Sequence, residues 1–329
     1  MNGTWQHSAF NRIRKNCHHR LLFVPPQVSP DRQAMRHETM GGWMITRACF
    51  LILVLSHAGL AQEYRPTAAQ VIGRIKQNIG IPWHEPTVDV FKAGDSSSTV
   101  TGIAVTMMAT LDVLQHAAAR GDNLIITHEP LFYDHLDSTD RLEASHDPVF
   151  EAKQAFIREH HLIVWRFHDF WHARTPDGIR TGMLRALGWE KLRDQQEEDV
   201  FHIPRTTLKE LAKTLKRQLD IHALRVVGDP DASVSTVGLS EGFPGFDVNR
   251  HVFQLKGVEV LVIGEAHEWE TIEYAVDAVT TGNRKGLIVL GHIPSEQSGM
   301  QECARWLKTF VNEVRVDFVP TQEPFWVSE

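Results

Sequence analysis

Cysteine is scarce: the 329 residues hold only Cys17, Cys49 and Cys303. Three are too few for a disulfide framework or for a zinc site made of four thiolates. Basic charge is in deficit. Lys and Arg number 34 against 41 Asp and Glu, a net charge of −7. That argues against a broad polyanion-binding surface, and so against nucleic acid as a partner. The apolar run Ala48 to Leu55 has eight residues, where a membrane-spanning helix needs about twenty. Low-complexity tracts and internal repeats are missing from residue 62 onward, as is a Gly-rich phosphate loop of the P-loop type. What remains is an ordinary globular mixture, 42% hydrophobic and 23% charged. This excludes disorder, collagen and coiled coil for the whole chain and leaves room for one large domain or two modest ones. Histidine is abundant, with 19 copies, and imidazole is the commonest protein ligand for metals.

Residues 1–39 are rich in Arg, His, Gln and Pro and show no steady period. Arg47 then precedes the eight-residue apolar run, and Gly59 and Ala61 stand at −3 and −1 of a cleavage point. This is the layout of a secretory signal peptide over about 44–61, with a buried N-terminal helix as the alternative. A start at Met40 or Met44 makes residues 1–39 either a gene-start artefact or a disordered leader. Cleavage after Ala61 leaves 268 residues. The leader carries away seven of the 34 basic residues and two of the 41 acidic ones, so 27 face 39 and the charge becomes −12. Cys303 is then alone and forms no internal disulfide. The expectation is an exported protein, periplasmic or secreted, with no stable membrane span once the signal is cleaved.

Beyond residue 62 the periodicity alternates. A helix is expected over Gln70–Ile79, a strand over Gly102–Ala109, a helix over Thr110–Arg120 and a strand over Asn123–His128. A helix over Pro148–His160, a strand over Leu162–His168 and a helix over Asp177–Leu187 follow, the last closed by Gly188. Nearly all-apolar strands between helices indicate a parallel sheet covered on both faces. The β-α-β-α-β order indicates right-handed crossovers. After a charged connector, Trp189–Val200, a second block repeats the theme. Strands are expected over Val200–Ile203, Leu224–Val227, Ser233–Leu239, Val258–Gly264, Gly286–His292 and Val314–Val319. Helices are expected over Thr207–Asp220, over Trp269–Val279 and, following the strand that ends at His292, up to Phe310. The fold class is α/β, with two α/β domains on mixed or mainly parallel sheets. The division is 1–61 leader, 62–188 first domain, 189–265 second domain, and 266–329 a segment that returns to the first.

Three strands end in groups of metal-ligand type. They are Thr127-His128-Glu129-Pro130, Phe167-His168-Asp169-Phe170-Trp171-His172 and Gly291-His292-Ile293-Pro294-Ser295-Glu296. In open α/β sheets, ligands gather at the carboxyl ends of strands. One site in the interdomain cleft can therefore collect all three clusters. A mixed His and Glu set suits Zn, Mn, Fe or Ni, not Ca or Mg, which prefer oxygen alone.

From about Val88 to Trp326 the chain resembles the GTP cyclohydrolase 1 type 2, or NGG-one-interacting-factor-three-like, dinuclear metal centre family. Ile126-Thr-His-Glu-Pro-Leu-Phe132 stands where that family has His-His-Pro-Leu. Phe167-His-Asp-Phe-Trp-His-Ala173 stands where it has His-Thr-Asn-Leu-Asp. Val262-Ile-Gly-Glu265 resembles its Thr-Gly-Glu, Gly291-His-Ile-Pro-Ser-Glu296 its Gly-His-Tyr-x-x-Glu, and Pro324-Phe325 its Asp-Pro-Phe close. The resemblance implies metal ligands at His128, Glu129, His172, His292 and Glu296. Two positions depart from the family's pattern: Glu129 replaces a His, and His172 replaces an Asp ligand. The inventory of three imidazoles and two carboxylates is nevertheless kept. His168 and Asp169 are groups that orient the ligands or are ligands themselves. Phe170 and Trp171 either wall the cavity or pack in the core, and His267 either reaches the cleft or starts a surface helix.

The resemblance implies one or two divalent transition metals per subunit and a hexamer of two-domain subunits acting on a small molecule not named by the sequence. The expected function is metal-dependent hydrolysis with metal-activated water, with Glu129 or Glu296 as general base. The alternatives are a non-catalytic metal-binding or assembly protein on the same fold, and a structural protein with incidental histidines.

Overall fold

In the computed structural model, residues 64–283 and 285–328 are described. All of them lie in the compact unit Leu60–Glu329. The signal-peptide reading at 44–61 lies outside the described residues.

Two five-stranded sheets organise the chain. The first has the order β1 (Phe91–Ala93), β4 (Ile163–Arg166), β3 (Leu124–Thr127), β2 (Ile103–Thr106) and β10 (Val316–Phe318). Its last four strands run parallel, and β1 pairs antiparallel with β4. The second has the order β5 (Val200–Thr207), β7 (Ser233–Ser240), β8 (Val260–Ile263), β9 (Gly286–Val289) and β6 (Arg225–Val227). Here β7, β8 and β9 are parallel, and β5 and β6 close the two edges antiparallel. The strands β2, β3, β4, β8 and β9 are buried at all four positions. Their sequences are mostly apolar, with Thr106, Thr127 and Arg166 at the strand ends, because helices cover both faces.

The helices are α1 (Ala68–Asn78), α2 (Leu111–Ala119), α3 (Asp140–Ala144), α4 (Pro148–Glu159), α5 (Asp169–Ala173), α6 (Gly178–Leu187), α7 (Leu208–Gln218), α8 (Phe246–Gln254), α9 (Glu273–Thr280) and α10 (His292–Leu307). A π-helical turn, Glu268–Ile272, leads into α9. Several starts are written locally. Thr67 and Gln70 form a capping box on α1, and Asp147 caps α4 ahead of Pro148. Gly188, at φ 67°, closes α6 as expected of a residue free to adopt the left-handed conformation. Leu208, Leu211, Ala212 and Leu215 bury one face of α7. Among the described residues, no helix is long and apolar enough to cross a membrane.

Each sheet is sandwiched between two apolar clusters. On the first sheet, α1 and α10 cover Ile103, Ile126 and Trp165 on one face, while α2 and α4 cover Ala104, Ile125 and Val164 on the other. On the second, α6 and α7 cover one face, and α8 and α9 the other. The second sheet keeps α9 and β9 beyond residue 265, so the return to the first sheet begins with α10 at His292. This helix leaves the carboxyl end of β9 and delivers the chain to β10 on the first sheet. On the way it packs against α6 with backbones in near contact. A Cβ placed on Gly182 would lie 2.5 Å from Gly299 Cα, and one on Gly299 would lie 2.5 Å from Ile179 Cα. Phe170 and Trp171 belong to the core beneath these helices, with 1% and 0% of their surface exposed, so neither walls a cavity.

Candidate metal centre

The strand ends β3, β4 and β9 bring six side chains together. His128 and Glu129 follow β3 directly. His168 follows β4, and His172 lies one turn further on, in α5, where its N–H bonds the His168 carbonyl at 3.0 Å. His292 and Glu296 are spaced i,i+4 on the first turn of α10, with His292 Nε2 3.1 Å from Glu296 Oε2.

The short helix α5 owes its start to a distant residue. The buried carboxylate of Asp89 accepts the backbone N–H groups of His168, Asp169 and Phe170 at 2.7, 2.9 and 2.9 Å. It satisfies the donors that a local cap would otherwise serve. Burial pushes the Asp89 carboxyl up even as these bonds pull it down.

Each imidazole is held by one nitrogen and offers the other. His128 is fully buried, and its Nδ1 lies 3.1 Å from the Phe167 carbonyl oxygen. A carbonyl only accepts, so Nδ1 carries the hydrogen and Nε2 keeps its lone pair. That Nε2 is buried with no hydrogen-bond partner, 3.6 Å from Glu296 Oε2. Burial, and then the neighbouring His168 and His172, hold the ring well below the usual imidazole range, which keeps it neutral. His168 Nδ1 faces Asp169 Oδ1 at 3.0 Å, while Asp169 Oδ2 is tied to Thr87 and Val88. His172 Nδ1 faces Asp177 Oδ2 at 3.0 Å, and its Nε2 is 3.9 Å from Glu296 Oε1. His292 Nδ1 faces Glu265 at 3.1 Å, and its Nε2 lies between Glu296 and Glu129 at 3.1 and 3.2 Å. Such partners on the far nitrogen orient the rings of metal-binding histidines and make them better donors.

The carboxylates around His292 have the electrostatics of a cation pocket. Against the cost of burial, bonds to Glu129, Glu265 and Glu296 push His292 up to about 12. Likewise Asp177 outweighs burial and pushes His172 up to about 9. The bond from His292 overcomes burial to hold Glu129 well below the usual carboxylate range. In the metal-free protein, protons on these two imidazoles stand in for cationic charge. A metal bound here would have to displace them, so the donors fit a divalent cation whose binding would release protons. Two sets of ligand atoms fall within 4.8 Å of one another: His128, His168 and His172, and His128, Glu129 and Glu296.

Every residue predicted as a ligand therefore lies in one cluster. His168 joins it as a further imidazole, and Asp169 turns outward to hold His168. His267 stays outside. Its ring stacks on Trp269 at 4.5 Å, and its Nδ1 pairs with Glu270 at the helix start. The sequence reading missed four supporting residues: Asp89, Arg166, Asp177 and Glu265. Arg166 is fully buried at the end of β4. It donates from Nε to the His128 carbonyl at 3.1 Å and from Nη1 to the His135 carbonyl, and its Nη2 is 3.7 Å from Glu129 Oε2. The signal for it was a lone charge inside the apolar run Leu162-Ile-Val-Trp-Arg166. Asp177 showed only as the start of a helix five residues after His172, Glu265 only as the end of the Val262-Ile-Gly-Glu265 motif, and Asp89 gave no local signal.

Comparison with known proteins agrees with this architecture. A protein named GTP cyclohydrolase 1 type 2 homolog from Clostridium acetobutylicum is 24% identical over 183 residues, 52% of this chain. The chain spans 65% of that relative's length. A protein of the same name from Clostridium perfringens is 22% identical over 240 residues, 70% of this chain and 86% of its own. Among solved structures, the Staphylococcus aureus protein SA1388 superposes with a TM-score of 0.62 at 17% identity, covering 80% of this chain and 99% of that one. A Bacillus cereus protein related to NIF3 gives 0.63 at 14% identity, covering 80% and 100%. Residues 83–324, from the Trp83 that stacks on Phe170 to the segment beyond β10, match the family profile itself, and the chain belongs to the Duf34/NIF3 (NGG1p interacting factor 3) family.

Proposed function

We propose that this protein is a metal-dependent hydrolase of the dinuclear-centre type, with His128, Glu129, His168, His172, His292 and Glu296 holding the metal. The observation that carries the reading is the buried, unpartnered Nε2 of His128. Leaving a buried polar atom unsatisfied costs about 1–3 kcal/mol, and a cation among these donors removes that cost. The cluster is also reachable: the side chains of His168, His172 and His292 keep 16%, 22% and 20% of their surface exposed, so a small substrate can approach.

A divalent metal bound here supplies a water of pKa near 7 and polarises the bond to be broken. The protein's own residues do the rest. Glu129 or Glu296 would serve as general base only through an oxygen left uncoordinated. Arg166 fixes Glu129 from behind, and Asp169, Asp177 and Glu265 set the ring planes of His168, His172 and His292. The names of the two clostridial relatives make GTP one compound to try, along with phosphate esters and carboxylic esters.

Elemental analysis of the purified protein, followed by assay on that panel, tests the proposal. Turnover that is lost with a chelator and in His292→Ala supports it. His292→Ala is expected to strip metal while leaving the fold, and unchanged stoichiometry refutes the ligand role. Full metal occupancy with no turnover on any class refutes the hydrolase and leaves a non-catalytic metal-binding or assembly protein. Two further proposals rest on sequence alone. Export follows from the leader at 44–61, and a mature N-terminus at Gln62 tests it. A homo-oligomer, a hexamer in the resembled family, is tested by light scattering, where a monomer refutes it.

A further inference from the structure

Beside the donor cluster, the second sheet carries a short stack of rings outside its apolar clusters. Phe243 follows Gly242 in the loop after β7, and His267 and Trp269 follow Glu265 in the loop after β8. The His267 ring lies on Trp269 with centroids 4.5 Å apart and planes 12° from parallel, and Phe243 meets the same imidazole at 5.1 Å and 63°. Large rings normally bury their area, yet 71% of Trp269 and 42% of Phe243 are exposed. One face of the indole rests on His267 and the other is open to solvent.

Two contacts fix the stack to the cluster. A Cβ on Gly242 would collide with Glu296 Oε1, so the loop that carries Phe243 lies directly against that carboxylate. Glu265, two residues before His267, faces His292 Nδ1 at 3.1 Å and donates its N–H to the Gly242 carbonyl at 2.8 Å. The rings are also braced. His267 Nδ1 lies 3.3 Å from Glu270, and Arg225 pairs with Glu268 at 2.8 Å. Trp269 sits in the π-helical turn Glu268–Ile272, a rare geometry that is frequent at functional sites. Because β7, β8 and β9 run parallel, the rings and His292 leave the sheet at the same carboxyl end, where α/β folds bind their ligands.

We propose that Phe243, His267 and Trp269 form a stacking platform for a planar aromatic ring of the substrate, while the bond to be broken lies outside that ring, at the donor cluster. The inference rests on the metal-dependent reading above and deepens it by naming the substrate class. Trp269 stands four residues beyond Glu265, at most about 14 Å along the chain, so one small molecule can span both. His267 is not among the clustered donors, so a ring stacked here is a handle held apart from the group attacked. Stacking on an open face selects planarity without reading a hydrogen-bond pattern, because every aromatic ring has such a face. A subunit contact fits less well. On their own the two exposed rings offer less than about 500 Å², against about 800 Å² from each partner in a standard interface.

The test loads the full chain with zinc and titrates it by calorimetry with two phosphonates, which ligate metals and are not hydrolysed. They are 4-phenylbutylphosphonate and 4-cyclohexylbutylphosphonate, of like bulk, but only the first has a π-face. The phenyl compound should bind at least about fivefold tighter, the low end of what stacking on an aromatic side chain is worth. Trp269→Ala should bring it to the affinity of the cyclohexyl compound, and Trp269→Phe should restore most of the difference. Phe243→Ala, which removes the edge-on support of His267, should narrow the difference. Thermal melting checks that each variant is folded. A phenyl preference absent from the unaltered protein, or retained in Trp269→Ala, overturns the platform and leaves the metal centre standing. Light scattering in which Trp269→Ala dissociates an oligomer assigns the ring to a subunit contact and also overturns it. No uptake of zinc at all sinks the metal-centre reading, and the platform with it.

Discussion

Replacing Gly299 by Ala tests whether the crossing of α6 and α10 sets the metal centre. The added methyl would sit 2.5 Å from Ile179 Cα and 2.6 Å from Ile179 Cδ1. Carbon atoms pack best at about 3.5–4.0 Å, so the helices must part by roughly 1 Å. The obstacle is backbone, which cannot swing aside. Alanine in place of glycine inside a helix gains about 1 kcal/mol from propensity, while overpacking costs about 1–3 kcal/mol. The clash outweighs the gain, and a net loss of about 1 kcal/mol should lower Tm by about 2–4 °C. The larger effect falls on the site. α6 is anchored at Asp177, the partner of His172, and α10 carries His292 and Glu296. His172 Nε2 and Glu296 Oε1 are already 3.9 Å apart. Disturbing groups that orient ligands typically costs 10–100-fold in metal affinity, and the same range is expected here by competition with a chromogenic chelator. Gly73→Ala on α1 is the control. Nothing lies within 4 Å of its added methyl, so it should stabilise by up to about 1 kcal/mol and leave metal binding alone. A Gly299→Ala protein with native Tm and native affinity would refute the reasoning.

Asp177→Asn should keep the cap of α6, because Asn caps as well as Asp, but should weaken metal binding about tenfold by loosening His172. A fall in thermal stability larger than the fall in affinity would contradict that division. Lys153 is 4% exposed and donates to the Leu131 carbonyl at 2.7 Å, and burial pushes it down to about 8. Its proton is lost at lower pH in the folded state than in the unfolded state. Stability should therefore rise between pH 8 and 10.5, by up to about 3 kcal/mol. Chemical denaturation across that window checks this, and Lys153→Met should flatten the slope. Cys303 is fully buried, and burial pushes its thiol far up. A thiol reagent should label it only in denaturant, and rapid labelling of the native protein would contradict its placement.

The central strands were legible because burial on two faces demands unbroken apolar runs, as in Leu124-Ile-Ile-Thr127 and Val260-Leu-Val-Ile263. Long helices were legible through their caps and stripes. The edge strand β1 was not, since Phe91-Lys-Ala93 is short and only half-buried. The helix α8 was missed because no side chain caps its start at Gly245. The five residues of α5 were missed because their cap, Asp89, lies some eighty residues upstream. The six clustered donors could be read because each follows a strand in a recognisable motif. Their supports could not, because Arg166 and Asp177 act through contacts that form only when the strand ends and α5 fold together, and Glu265 only when α10 brings His292 to it.

That sharing has a consequence for biosynthesis. The N-terminal sheet gains its β10 edge, and the cluster gains His292 and Glu296, only after the second sheet has been translated in full. Domains generally fold in order as they leave the ribosome, but here the first lobe has to wait for the last. A growing polypeptide holds His128 and His172 without their carboxylate neighbour on α10. Assembly of the full six-donor cluster is thereby deferred to the finished chain, a checkpoint set by connectivity alone.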